Sequence, residues 1–263
     1  MQVKPGTKVS LKDFDPDETG SFESAKEVED LLKKQLDEIV HLQRLLYAEN
    51  RRALLVILQG MDTSGKDGTI SHVMSGMSPL GVQVNAFKVP NEEELHHDYL
   101  WRVHQRMPRQ GYIGIFNRSQ YEDVLVVRVH ELVPKKVWRT RYRQINQFEK
   151  IMVDNGTAIL KFFLHISKAE QKKRLEERLK DPTRHWKFSL KDVEERSYWS
   201  KYRKAYETAL TKCSTEWAPW HIVPANKKWY RNLLVAKTIV QTLRGFHTEY
   251  PQPSVDISKI VIK

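Results

Sequence analysis

The chain has 263 residues, 40% of them apolar, enough for one large α/β domain with a substantial core. Its 44 Lys and Arg against 33 Asp and Glu leave a net charge of +11, which favours polyanionic partners such as nucleic acid, anionic membrane, nucleotides or polyphosphate. A lone cysteine, Cys213, excludes an intrachain disulfide and argues against a Cys-based metal site, and no apolar run is long enough to cross a bilayer.

Residues 1–23 are polar and contain Pro5, Gly6, Pro16 and Gly20, so they read as an extended, loosely attached arm. They hold no apolar segment of the secretory kind, which makes the cytoplasm the expected location. Ser24 followed by Glu27 fits a capping box. Behind it Val28, Leu32, Leu36, Ile39, Leu42 and Leu46 recur every three or four residues, the mark of an amphipathic helix lying against the domain body. Apolar runs at 53–59, 82–88, 112–116, 158–165 and 220–223 read as strands. Several are continuous rather than alternating, as in a parallel sheet buried on both faces. Helical patterns separate them, two opening with further capping-box pairs, Ser167 with Glu170 and Ser189 with Asp192. Strands alternating with helices predict βαβ units and a three-layer α/β/α domain over 24–245. A tail at 246–263, with Pro251 and Pro253, is expected to run over the surface.

The strongest motif follows the first strand. Gly60, Thr63, Ser64, Gly65, Asp67, Gly68 and Thr69 form a glycine-rich turn that opens a helix, with Lys66 placed to reach terminal phosphates. Asp67 replaces the usual Ser or Thr, and Asp62 also lies within the loop. Carboxylates here would repel bare phosphate, so they imply a cation such as Mg²⁺, with Mn²⁺ as a substitute. The third strand runs into Asn117, Arg118, Glu122 and Asp123, outside the carboxyl ends of the sheet where ligands bind. Asn117 is neutral, so Glu122 or Asp123 has to supply any carboxylate, and Arg118 suits a transferring phosphoryl group. Arg128 is expected further along the same helix.

Three other segments are candidates. Phe87 could stack on adenine after the second strand, with Lys88 or Arg102 facing phosphate. Arg174 and Arg178 share a helix face, as two guanidiniums gripping a phosphate chain would. The basic stretch at 135–143, interleaved with Trp138 and Tyr142, suits nucleic acid or polyphosphate.

These residues resemble the polyphosphate kinase 2 family. The resemblance rests on G-x-D-x-x-G-K-D-G (Gly60 to Gly68), F-N-R-S-x-Y-E-D-V-L-V-x-R-V (Phe116 to Val129), L-x-x-R-L-x-D-P-x-x-x-W-K-F (Leu175 to Phe188) and P-A-N-K-K-W-Y-R (Pro224 to Arg231). It spans most of residues 45–245, in order and with consistent spacing. It implies a thymidylate kinase-like phosphate-loop kinase fold, a five-stranded parallel sheet with a helical lid at about 168–189, and Mg²⁺-dependent transfer between inorganic polyphosphate and nucleotides. The lid would bear Arg174, Arg178, Arg184 and Lys187. Most family members carry Asp where this chain has Asn117. The F-N-R-S-x-Y-E-D form resembles the class III branch, which phosphorylates both AMP and ADP, so Glu122 stands as the substitute carboxylate beside Asp62. Adenine nucleotides (AMP, ADP, ATP) and polyphosphate are thus the expected partners, ahead of nucleic acid, in a homodimer or homotetramer. The rival readings are an ATP-dependent nucleoside or nucleotide kinase and a nucleic-acid-binding phosphate-loop protein.

Overall fold

In the computed structural model, which describes residues 1–257, 260 and 262 (Lys187 by its backbone alone), one sheet organises the chain. Its strands are β1 (Ala53–Gln59), β2 (Val82–Ala86), β3 (Ile113–Asn117), β4 (Thr157–His165) and β5 (Trp220–Pro224). They run parallel in the order β2-β3-β1-β4-β5. The central strand β1 is buried at all seven positions, which is why its apolar run never alternates.

Helices cover both faces. They are α1 (Ala25–Glu49), α2 (Lys66–Val73), α3 (Glu92–Leu95), α4 (Trp101–His104), α5 (Val126–Val129), α6 (Lys135–Asp154), α7 (Lys168–Lys180), α8 (Leu190–Ser197), α9 (Trp199–Cys213) and α10 (Lys228–Arg244). Leu54, Val56 and Leu58 of β1 share a core with Val28 and Leu46 of α1 and Ile239 of α10. Leu55 and Ile57, pointing the other way, pack with Val103 of α4, Phe116 of β3 and Phe148 of α6. Each such buried side chain contributes roughly 1.5–3 kcal/mol of transfer free energy. This is the α/β fold expected.

Three local expectations need correction. The arm at 1–23 is extended but firmly attached: Val3 N donates to Trp220 O at 2.8 Å, Gln2 bridges His221 antiparallel, and Val3, Val9 and Leu11 are buried. Its three apolar side chains outweigh its polar composition. At Ser24 the hydroxyl donates to Glu27 Oε1 at 2.7 Å and caps no amide, whereas Ser189 and Asp192 form the full reciprocal box. The stretch after β3 is not one helix either. A 3₁₀ turn at Gln120–Val124 gives way to the short α5 at Leu125, which swings Arg128 away from the strand ends.

A phosphate loop facing two guanidiniums

The loop from Gly60 to Gly65 crosses from β1 to α2 along a path that depends on both glycines. A Cβ on Gly60 would lie 2.7 Å from Leu164 O of β4. Gly65 has φ +97°, and a Cβ there would meet Arg231 Nη1 at 2.0 Å. Between them Thr63 takes φ +62°, uncommon for a residue with a side chain. Ser64 N donates to Met61 O at 3.1 Å and Thr69 N to Gly65 O at 2.8 Å, closing the turn into the helix.

Lys66 folds back over this loop. Its Nζ donates to Gly60 O at 3.0 Å and Met61 O at 3.3 Å, and the side chain is buried. Burial, reinforced by the Arg118 charge, pushes its pKa down to about 8. Beside it Asp62 Oδ2, Thr63 Oγ1 and Ser64 Oγ are buried with no hydrogen-bond partner among the described residues. A row of orphaned polar atoms is costly unless a ligand satisfies it.

The second wall comes from β3. Arg118 takes φ +63°, turning the chain out of the strand, while its N donates to Leu58 O at 3.1 Å. Its guanidinium stands 3.9 Å from Glu122 Oε2 and stays partly exposed. Asn117 Nδ2 donates to Asp67 Oδ1 at 2.7 Å, so these two candidates meet. Gln59 Nε2 donates to Ser119 Oγ at 3.2 Å, linking the ends of β1 and β3. Asp123, the alternative to Glu122, faces elsewhere: it pairs with Arg141 of α6 at 2.9 Å, and burial raises its pKa to about 6.

The third wall is α7 with α8. Arg178 reaches Asp62 Oδ2 at 3.7 Å and Asp192 Oδ2 at 3.4 Å. Arg174, on the same helix face, serves a different purpose. It donates to Thr63 O at 2.9 Å, Ala225 O at 2.6 Å and Asn226 O at 3.0 Å, and pairs with Glu170 at 2.7 Å. All three of its nitrogens are engaged, so Arg174 braces the loop rather than gripping a chain. Arg184 pairs with Asp181 at 2.8 Å, within the 3₁₀ turn Pro182–Lys187 and its cap. The Lys187 side chain lies outside the described residues.

Two nucleotide candidates fall in the core. Phe87 is buried edge-on to Phe116, with ring centroids 4.8 Å apart. Arg102 covers it at 5.4 Å and is held by Lys88 O at 2.9 Å and Glu94 at 3.3 Å. Phe87 therefore presents no free face to a base, while Lys88 is exposed. Arg128 lies apart from the loop, its Nη1 on Tyr142 OH at 3.1 Å and its guanidinium over Trp138.

Asp192 and Arg231 also border this site, and the sequence did not single them out. Arg231 Nη1 approaches Ser64 O at 3.5 Å, and burial beside Arg174 lowers its pKa to about 10. Its only signal was its position in the P-A-N-K-K-W-Y-R segment. Asp192 looked like a helix cap, which it also is.

The arrangement can neutralise and orient phosphoryl groups. Among the described residues no three His, Cys, Asp or Glu side chains gather as a metal cage. The scattered carboxylates Asp62 and Glu122 instead suit an ion such as Mg²⁺, which takes one or two protein oxygens and completes its shell with phosphate and water.

The family model described as polyphosphate kinase 2 matches residues 22–251. The chain is 54% identical to the AMP/ADP-polyphosphate phosphotransferase of Meiothermus ruber, over 100% of this chain and 98% of that protein. It is 45% identical to the ADP-polyphosphate phosphotransferase of Rhodopseudomonas palustris, over 96% and 91%. Among solved structures, polyphosphate kinase 2 from Arthrobacter aurescens TC1 superposes with a TM-score of 0.94 at 45% identity, covering 97% of this chain and 92% of that one.

Proposed function

The chain belongs to the polyphosphate kinase 2 family and is a phosphotransferase, and on that premise we propose that it moves phosphoryl groups reversibly from inorganic polyphosphate to AMP and ADP, giving ADP and ATP. The observation that carries this reading is the loop where a buried Lys66 and the unpartnered Thr63 and Ser64 hydroxyls lie beside Asp62, which faces Arg178, and beside Arg118.

Phosphoryl transfer needs positioning and charge neutralisation more than covalent help from the protein. Lys66, at the loop, and Arg118, at the end of β3, stabilise the charge that develops on the transferring group. The loop amides of Thr63, Gly65 and Gly68, the Ser64 hydroxyl and the N-terminal end of α2 bind its oxygens. Thr69 closes the loop, its Oγ1 donating to Gly65 O at 3.0 Å. Arg178 leaves Asp62 and Asp192 to fork onto the donor chain. Asp62 and Glu122 would hold Mg²⁺, which would supply charge neutralisation for the phosphoryl groups when bound. Asn117 holds Asp67 in place without adding a charge.

Among the described residues no helix is long and apolar enough to cross a membrane, and we place the enzyme in the cytoplasm with its nucleotides. A homodimer or homotetramer is the assembly we favour. Leu80, Val84 and Val89, exposed around the edge strand β2, support it.

Lys66→Ala tests the site. Turnover from polyphosphate should fall by about 10²–10³-fold or more, with a smaller loss of stability from the bonds to Gly60 O and Met61 O, the second of which Ser64 N still serves. Retained turnover would remove Lys66 from the mechanism.

A further inference from the structure

A second basic cleft opens on the other side of α9 from the phosphate loop. Arg128 of α5, Lys135, Trp138 and Arg139 of α6, and Lys201 and Lys204 of α9 line a cavity of about 780 Å³. Tyr202 and Tyr206, on a different face of α9, lie near Arg118 instead. The cleft therefore belongs to a surface the phosphate site does not use.

Its cations are prepared for a ligand. The lining holds five basic side chains and one acid, Glu131. Among the described residues no carboxylate forms an ion pair with any of the five. Arg128 is oriented by Tyr142 OH at 3.1 Å and lies over the Trp138 ring at 4.8 Å, with Arg139 over the same ring at 6.0 Å. Trp138 carries two guanidiniums and so holds fork-shaped donors at the cleft. Cations without carboxylate partners, clustered five to one acid, suit a dense run of phosphates.

We propose that this cleft is a second polyanion site that grips a condensed-phosphate chain away from the end being transferred. The proposal rests on the polyphosphate-donor reading of the phosphate loop. The chain held there is either a remote stretch of the donor itself or a separate polyphosphate molecule acting in trans.

The test is the triple variant Lys135→Ala, Lys201→Ala, Lys204→Ala, all exposed and remote from the phosphate loop. Retention of long-chain polyphosphate on a filter, without nucleotide, reads binding directly. The proposal expects its affinity to fall about tenfold and the log–log salt slope to drop by about one per lysine removed. The KM for long chains should rise similarly, while kcat and KM for chains of a few phosphates stay unchanged, which assigns the cleft to the donor. If long chains added to a reaction with labelled short chains raise the rate of labelled product in the wild type and not in the variant, the occupant is a separate molecule, because a competing donor can only lower that rate. Unchanged long-chain affinity, an equal KM rise for short chains, or lysine-dependent displacement of polyphosphate by single-stranded RNA at equal phosphate concentration would each overturn the proposal. A wild type that binds chains through these lysines yet transfers nothing would instead overturn the donor reading and leave the cleft standing.

Discussion

Asn117 Nδ2 donates to Asp67 Oδ1 at 2.7 Å, tying the end of β3 to the first turn of α2 through a neutral donor. Asn117→Asp would bring two carboxylates to that separation, where both cannot ionise without a proton or cation between them. The introduced pair's folded pKa is raised above the unfolded value. Its penalty is therefore absent below about pH 4 and appears as pH rises through the carboxylate range. Thermal melts should show the variant matching the wild type near pH 4 and falling below it by up to about 1 kcal/mol at pH 8, since Asp67 is exposed and water screens the pair, with Mg²⁺ restoring part of the difference. Parallel melting curves at all pH values would contradict the contact.

Lys66 sets a second pH dependence. Its folded pKa of about 8 lies below the unfolded value, so the unfolded chain binds more protons between roughly pH 8 and 10.5 and the group's effect on stability becomes more favourable as pH rises there. Phosphate binding needs the cation and runs the opposite way. The KM for polyphosphate should climb above pH 8, approaching tenfold per unit. Lys66→Arg, which stays charged, should flatten that profile. Initial rates from pH 7 to 9.5 measure both.

The two arginines of α7 should separate cleanly. Arg174→Ala strips hydrogen bonds from Thr63 O, Ala225 O and Asn226 O, and leaving such carbonyls buried and unpaired costs about 1–3 kcal/mol each. A lower Tm with a weakened loop is expected. Arg178→Ala frees two carboxylates that are partly exposed, so its Tm should hold while kcat falls. Equal Tm losses in both variants would contradict this division.

Fully buried Lys161 of β4 pairs with Glu149 of α6 at 2.5 Å and also donates to Tyr121 OH and Cys213 O. Gln120 and Tyr121, within the turn that carries Glu122, donate to the same Glu149 carboxylate. Lys161→Met alone should cost about 3–5 kcal/mol by leaving a buried charge unpaired, and adding Glu149→Leu should recover much of it. Urea unfolding of the single and double variants reads the difference. A double variant weaker than the single would mean that the network contributes more than the two charges.

The strands and the phosphate loop were legible because their signals are local. β1 is an unbroken apolar run with glycines at its end, and its limits fall where the pattern ends. Other residues were illegible because their partners are distant in sequence. Arg174 shares a helix face with Arg178, but its carbonyl partners Ala225 and Asn226 lie about fifty residues away, which no periodicity reveals. Phe87 follows a strand as a base-stacking residue would, yet Phe116 and Arg102 enclose it. The position of Arg128 depended on whether the chain stayed helical past Leu125, and the break there sends it to another cleft. The resemblance named the family, whereas the division of labour among the arginines required geometry.

The most direct test incubates the pure protein with Mg²⁺ and long-chain polyphosphate, supplies AMP or ADP in separate reactions, and follows the products by chromatography. Formation of ADP from AMP and of ATP from ADP is the predicted result. Product from ADP alone would contradict the dual-acceptor reading of Asn117 and Glu122. No product with either acceptor, together with transfer when ATP is the donor, would contradict the polyphosphate assignment itself.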